Sequence, residues 1–555
     1  MENNSNKTLV KILVLLLILG GISLFARYYI DWLWFKSLDF QNVFTITLVS
    51  RWALYALVFI IAFAFVFINL RLSKRNARPG PDDTIDMEDG EDVIYLHPEK
   101  TRFQGLLNHP MADWIFIVIS LFVAFVVAST VGEKWVIVQQ YLNRVPFAGS
   151  DPVFGKNIGF YFFNLSFYQF IYETLMFLLV FTTVIVGLLY LMDATAELFL
   201  MEWRKFTFAK AHFSVLLAMI FALKAWGYKL GMYSILFSPT GIVNGAGYTD
   251  VHARLLAYKI LLVVALLVAA MIIVNLFVRR INWILYSIGA WIVLAIIFNG
   301  IYPALMQKFI VQPNEFNREK PYIERAINYT RMAYNLDKIE NKQFDVDYNL
   351  TMQDIENNRP TIDNIRLWDW QPLQDTYKSL QELRLYYVFH DVDIDRYMVD
   401  GEYRQVMLSA REMEDMDRNE ALDESAKTWV NQRLMFTHGY GVTMSPVAEV
   451  GEEGFPEFYL KDVPPRGDTN LKVTRPEIYF GERTDSYVIV NTKQKEFDYP
   501  KGATNTYTIY EGKNGVEINS FSRRLLFAWV LKDYKLIFSS DVHNQSQVLM
   551  KRNIN

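Results

Sequence analysis

The sequence predicts a membrane all-α region of seven transmembrane helices followed by an α+β extracytoplasmic domain. Three observations predict it. Charge is unevenly spread: residues 1–302 hold 23 Lys/Arg and 19 Asp/Glu, 14% of that stretch, whereas residues 303–555 hold 32 and 40, or 28%. The first value lies far below the usual charged fraction of a water-soluble domain and the second slightly above it. The first stretch also repeats apolar runs of about 20 residues, the length that crosses roughly 30 Å of hydrocarbon. The second contains short runs rich in β-branched and aromatic residues, separated by turn residues.

The whole chain has 555 residues, 52% hydrophobic, with a net charge of −4 and no cysteine. The missing thiols exclude disulfides, thiolate zinc sites, iron–sulfur clusters and cysteine nucleophiles. The second stretch is net negative, which argues against nucleic acid as a partner. No phosphate-cradling G-x-x-x-x-G-K-[ST], no H-E-x-x-H, no G-x-S-x-G and no strand-linked G-x-G-x-x-G occurs.

The spans are expected at 12–30, 52–70, 112–132, 171–192, 212–232, 255–277 and 281–302. The first reads as an uncleaved anchor, because residues 22–30 offer no small-x-small cleavage site. Basic residues near span ends set orientation. Lys7, Lys11, Arg71, Lys74, Arg75, Arg78, Arg204, Lys205, Lys210, Arg279 and Arg280 fall on one side when the N-terminus is cytoplasmic. An odd number of spans then places everything after Tyr302 outside the cell, with the chain in the plasma membrane. The acidic run from Asp82 to Asp92 reads as a solvated cytoplasmic loop, and the irregular stretch 233–254 as a re-entrant or surface-lying outer loop.

Charges within spans are expensive and point to function or to fixed helix pairs. Lys224 interrupts span five roughly 18 Å from its cytoplasmic end, at about 1.5 Å per residue. Glu173, near the outer end of span four, is its expected counter-ion by depth. Such a pair serves either a functional pathway or the plain fixing of two helices.

In residues 303–555 an extended linker leads into a helix starting near Pro321, and a second helix carries Leu373, Tyr377, Leu380 and Leu383. Strands are expected in YYVFHDVDIDRYMV, RQVMLSA, EIYFGE, DSYVIVNT, TYTIY and KLIFSS. Asp391, Asp393 and Asp395 alternate, so a strand would set three carboxylates on one face, a candidate calcium site or a solvated, Arg-paired face. Arg396 stands where a helix–loop–helix calcium loop needs Gly. Trp368 and Trp370 flank Asp369, a pattern that stacks on sugar rings or fills a helix–sheet seam. His438, between Thr437 and Gly439, is a candidate base or an ordinary turn residue.

Several stretches together carry a resemblance. FIVQPNEFNREKPYIERAINYTRMAYNLDKI, NIRLWDWQPL, DVDIDRY, RQVMLSARE, TWVNQRLMFTHGYG, TRPEIYFGE, EFDYP, DPVFGKNIGFYFF and GAGYTDVHA resemble the uncharacterised protein family 0182 of multi-pass bacterial membrane proteins. The resemblance implies seven spans, a large extracytoplasmic C-terminal part, and further chain beyond QVLMKRNIN. It supplies no activity, cofactor or catalytic residue. The expected function is therefore that of a non-enzymatic envelope protein whose outer domain binds a surface protein, a glycan or a lipid. The alternative is a transporter or channel with a pathway near Lys224 and the 233–254 loop. An ectoenzyme built on Asp391, Asp393 and His438 ranks third. Oligomeric state is not set by any of these features.

Overall fold

A computed structural model describes residues 2–76, 111–193, 207–278, 280–416, 419–502 and 504–554. The acidic run at 82–92 lies outside the described residues, as do Arg78, Arg204, Lys205 and Arg279. Among the described residues, seven helices are long and apolar enough to cross a bilayer: Val14–Ser37, Gln41–Lys74, Met111–Gly132, Phe160–Leu191, Phe208–Phe237, Asp250–Val278 and Asn282–Ala333. Small antiparallel sheets follow them. The chain divides into two compact units, Thr47–Lys342 and Met1–Ile46 with Gln343–Asn555.

In the unit Thr47–Lys342, helices meet through small and branched side chains. Ala62, Val66 and Leu70 pack with Phe116, Val123, Val127, Leu178 and Val186. A second seam sets Ala218, Phe221 and Ala225 against Leu261, Ala265 and Ile272. Alanine lets helix backbones approach closely, which favours association where lipid leaves little hydrophobic driving force.

Two boundaries differ from those expected. Span four begins at Phe160, because the π turn Phe160–Leu165 runs straight into the helix Ser166–Asp193. Just ahead of it, the Asp151 carboxylate accepts the backbone N–H groups of Val153, Phe154 and Lys156 and the Tyr161 hydroxyl. Span seven does not end in an extended linker. The helix Ile281–Ile296 continues through Ile297–Ile301, Tyr302–Met306, Gln307–Val311 and Gln312–Asn314 into Glu315–Ala333. Pro303 and Pro313 stand at joins where the helical segments change type, so each missing N–H falls at a break in the hydrogen-bond pattern.

The other unit joins the two ends of the sequence. Ile30 and Leu33, near the end of the helix Glu2–Ser37, are buried with Leu434, Ile489, Val516, Phe527 and Val548. Trp529 Nε1 donates to Ser23 Oγ at 2.9 Å, and Lys551 pairs with Asp31 at 2.7 Å. Asp393–Val399, Glu402–Ala410 and Val442–Pro446 form a three-stranded antiparallel sheet. Its first turn is Asp400-Gly401, both at positive φ, which pairs Val399 with Glu402 across a two-residue hairpin. A second sheet orders Val516–Glu517, Gln547–Leu549 and Val488–Val490. KLIFSS is helical at Lys535–Phe538 rather than a strand: Leu536 is buried while Phe538 projects into solvent.

Cutting Leu33 back to alanine should empty part of that shared core and cost about 2–4 kcal/mol. Leu16→Ala on the exposed part of the same helix should cost little. Denaturant titration of the full chain in neutral detergent checks this, and equal losses at both positions would refute the packing role of Leu33.

Candidate functional site

Within the unit Thr47–Lys342, Lys224 opens on a cavity of about 500 Å³. Tyr172, Arg254, Tyr258 and Asn299 share its wall. Gly227 and Gly231, one and two helical turns beyond Lys224, let those rings close in. A Cβ at Gly227 would lie 2.5 Å from the Tyr172 ring, and one at Gly231 would lie 3.4 Å from that of Tyr258. The Lys224 ammonium stands over the Tyr228 ring, 5.4 Å from its centroid. Glu173 does not meet it: that carboxylate pairs with Lys134 at 3.4 Å. Consecutive helical residues point about 100° apart, so Tyr172 faces the cavity while Glu173 faces elsewhere.

Arg254 is held from the loop the sequence marked as irregular. Its Nη1 reaches Asp250 at 2.8 Å and the hydroxyls of Ser238 and Thr240 at 3.1 Å each. Asp250 is itself buried and accepts the Gly247 N–H. The Tyr248 N–H goes to the buried Glu319 carboxylate. GAGYTDVHA is thus the segment that fixes Arg254 in the cavity wall.

In the unit containing Gln343–Asn555, Asp391 and Asp393 converge with Glu482 and not with Asp395. One ligand atom from each of the three lies within 4.8 Å of the others. Strand pairing begins only at Asp393, so Asp391 lies before the ladder and the three aspartates do not share one regular face. Glu482 enters from 89 positions downstream of Asp393 on a separate segment, and no local spacing signals it. Its backbone N–H binds Glu412, which also faces His390 at 3.5 Å. Burial, then Asp391, Asp393 and Glu412, push the Glu482 carboxyl up to about 7. Burial and the neighbouring aspartates also raise Asp393. Such oxygen ligands suit a hard cation, which would take most of its remaining ligands from water.

His438 is fully buried. Its Nδ1 lies 2.9 Å from Thr437 Oγ1, its Nε2 lies 3.6 Å from Asp498 Oδ1, and its ring packs at a tilt against Tyr479. Thr437 and Tyr479 both donate to Glu496. An enclosed network of this kind holds segments together and gives a substrate no approach. Trp368 packs against Leu373, Tyr377 and Phe389, and its indole N–H donates to the Glu449 carbonyl. Trp370 is partly exposed, one residue past the N-cap Asp369.

A further cleft of about 570 Å³ was not foreseen from sequence. Its wall includes the carboxamides of Asn491, Gln494, Asn544, Gln545 and Gln547. Asn491 Oδ1 and Gln547 Oε1 are buried and have no hydrogen-bond partner among the described residues. The five amides come from two segments about 50 residues apart, brought together by the pairing of Val488–Val490 with Gln547–Leu549.

The sequence matches the Uncharacterised protein family (UPF0182) over residues 8–555. A UPF0182 protein of Desulforamulus reducens is 48% identical across 97% of this chain and 59% of its own length. One from Pelotomaculum thermopropionicum is 48% identical across 95% and 57%. One from Trichodesmium erythraeum is 39% identical across 99% and 58%. The chain therefore spans less than two thirds of the length of these relatives. No solved structure matches it.

Because the Glu482 carboxyl is raised in the fold, its protonated form favours folding. That contribution is complete below about 4.5 and is lost as pH rises through about 7. Thermal unfolding of the full chain in chelator should show this decline, and Glu482→Gln should flatten it. Calcium that binds the trio should cancel the decline; a profile indifferent to millimolar calcium would indicate repulsion without binding. An unchanged slope in the Gln variant would remove Glu482 as the cause.

Proposed function

The chain belongs to the uncharacterised protein family UPF0182, and from that premise we propose that it is a binding protein of the bacterial envelope. In this proposal the unit containing Gln343–Asn555 lies outside the cell and takes a hydroxyl-rich ligand, a glycan, in the cleft between Asn491 and Gln547. The observation that carries the reading is the pair of buried carboxamide oxygens without protein partners. A buried acceptor left unmet costs about 1–3 kcal/mol, which a ligand hydroxyl would offset once either amide rotates toward the cleft. A carboxamide offers both donor and acceptor, matching vicinal hydroxyls. Five of them border this cleft.

The outward placement draws on helix length. The helix Glu2–Ser37 has 36 residues, or about 54 Å at 1.5 Å per residue, against roughly 30 Å of hydrocarbon. The surplus allows Ile30 and Leu33 to stand clear of the bilayer where the C-terminal residues enclose them. With Lys7 and Lys11 kept cytoplasmic, that end faces outward.

Two outcomes test the proposal. The chain lacks cysteine, so Tyr534→Cys, at an exposed position, gives a single label site. A membrane-impermeant maleimide should label it in intact cells, and labelling only after permeabilisation would reverse the orientation. The purified full chain should bind soluble wall glycans saturably, with the Asn491→Ala/Gln547→Ala variant weaker by about tenfold, or 1.4 kcal/mol. Equal affinity in the variant, or no glycan bound by the parent chain, would dismiss the cleft.

A further inference from the structure

We propose that the cavity beside Lys224 is a binding site for an anionic phosphoryl group. This assignment is independent of the glycan cleft, which belongs to the other unit.

The argument begins with charge. Among the described residues that line the cavity, two are cations, Lys224 and Arg254, and none is a carboxylate. One carboxylate, Asp250, answers Arg254 from behind, and its side chain is almost wholly buried. Among the described residues Lys224 has no such answer: it forms no ion pair and faces only the Tyr228 ring. The wall therefore carries one positive charge in excess. A cation within an apolar span is costly unless water or an anion compensates it. A cavity open to Lys224 admits either.

Donor geometry then narrows the ligand. The three contacts of Arg254 all run through Nη1. Of the five N–H donors of a guanidinium, those on Nε and Nη2 remain for a ligand. They form the planar fork that grips two oxygens of an oxyanion, while an ammonium adds a point charge. The phenols of Tyr172 and Tyr258 and the carboxamide of Asn299 add further donors on the wall. Acceptors without charge would leave the excess cation unmet, whereas a phosphoryl oxyanion meets both the charge and the donors. A volume of about 500 Å³ lies within the usual range for small-ligand sites. The same chemistry is offered by a lipid phosphodiester or by free phosphate.

The test uses the full chain in neutral detergent, titrated separately with short-chain phosphatidylglycerol and with inorganic phosphate. At least one probe should bind saturably. Lys224→Met should weaken that binding by about tenfold or more, whereas Lys224→Arg should retain it. Lys229→Met provides the control, because Lys229 lies one turn away, is exposed and stands over Tyr233. Binding of phosphatidylglycerol that millimolar phosphate does not displace assigns the site to a lipid headgroup; mutual displacement assigns it to the free anion. The inference is overturned if neither probe saturates the parent chain. It is equally overturned if Lys224→Met binds as the parent does, or if Lys224→Met and Lys229→Met lose affinity alike. Should Lys224→Met unfold, the comparison of Lys224→Arg with Arg254→Gln decides: retained binding in both would also overturn it.

Discussion

The enclosure of Ile30 and Leu33 by Leu434, Ile489 and Phe527 ties the beginning of the sequence to its end. The sheet against that core has three strands of two or three residues each. Strands that short need a helix packed on their apolar face. A helix from the N-terminal side supplies the missing face. Closing a loop of nearly the whole chain carries an entropic cost, but that cost grows only logarithmically with length. Helices that cross a bilayer restrict the intervening chain further, so less freedom remains to be lost when the ends meet.

Elsewhere in this unit, buried guanidiniums take the part that long strands play in larger sheets. Arg552 is almost wholly buried and donates to the carbonyls of Thr437, Tyr479 and Ser486. Arg411 does the same for the carbonyls of Gln381 and Tyr440 and for the Thr443 hydroxyl. Each gathers acceptors from segments well separated along the chain. Burial lowers both guanidiniums to about 10, yet leaves them charged at neutral pH. Removing either side chain would strand several buried carbonyls at once, a cost beyond that of one hydrogen bond.

Composition and apolar run length made the seven helices legible, because hydrocarbon forces the backbone to satisfy its own polar groups. Strand pairing around Asp393 and Glu402 was legible for a different reason: alternation and Asp400-Gly401 are local signals. What escaped depended on direction or on distance along the chain. Depth alone suggested Glu173 for Lys224, but depth carries no azimuth, and the neighbouring Tyr172 faces the cavity instead. Glu482 and the amide cleft arise from contacts between remote segments, which no window of sequence contains. The aromatic run before Ser166 reads in sequence as a headgroup-level loop, whereas the helix already begins there, at Phe160.

The two cations of the intramembrane cavity also bear on why GAGYTDVHA has its composition. Lys224 and Arg254 on one wall repel each other unless something divides their roles. Asp250 does so, neutralising Arg254 from the buried side and binding the Gly247 N–H with its second oxygen. Gly247 must also stay small, since a Cβ there would lie 3.1 Å from Glu319 Oε2, the carboxylate that takes the Tyr248 N–H. The segment thereby joins two buried acids to a short irregular backbone that could not otherwise satisfy its amides away from water. Its hydrogen bonds tie Arg254 to Asp250, and among the described residues Lys224 is left with no carboxylate of its own.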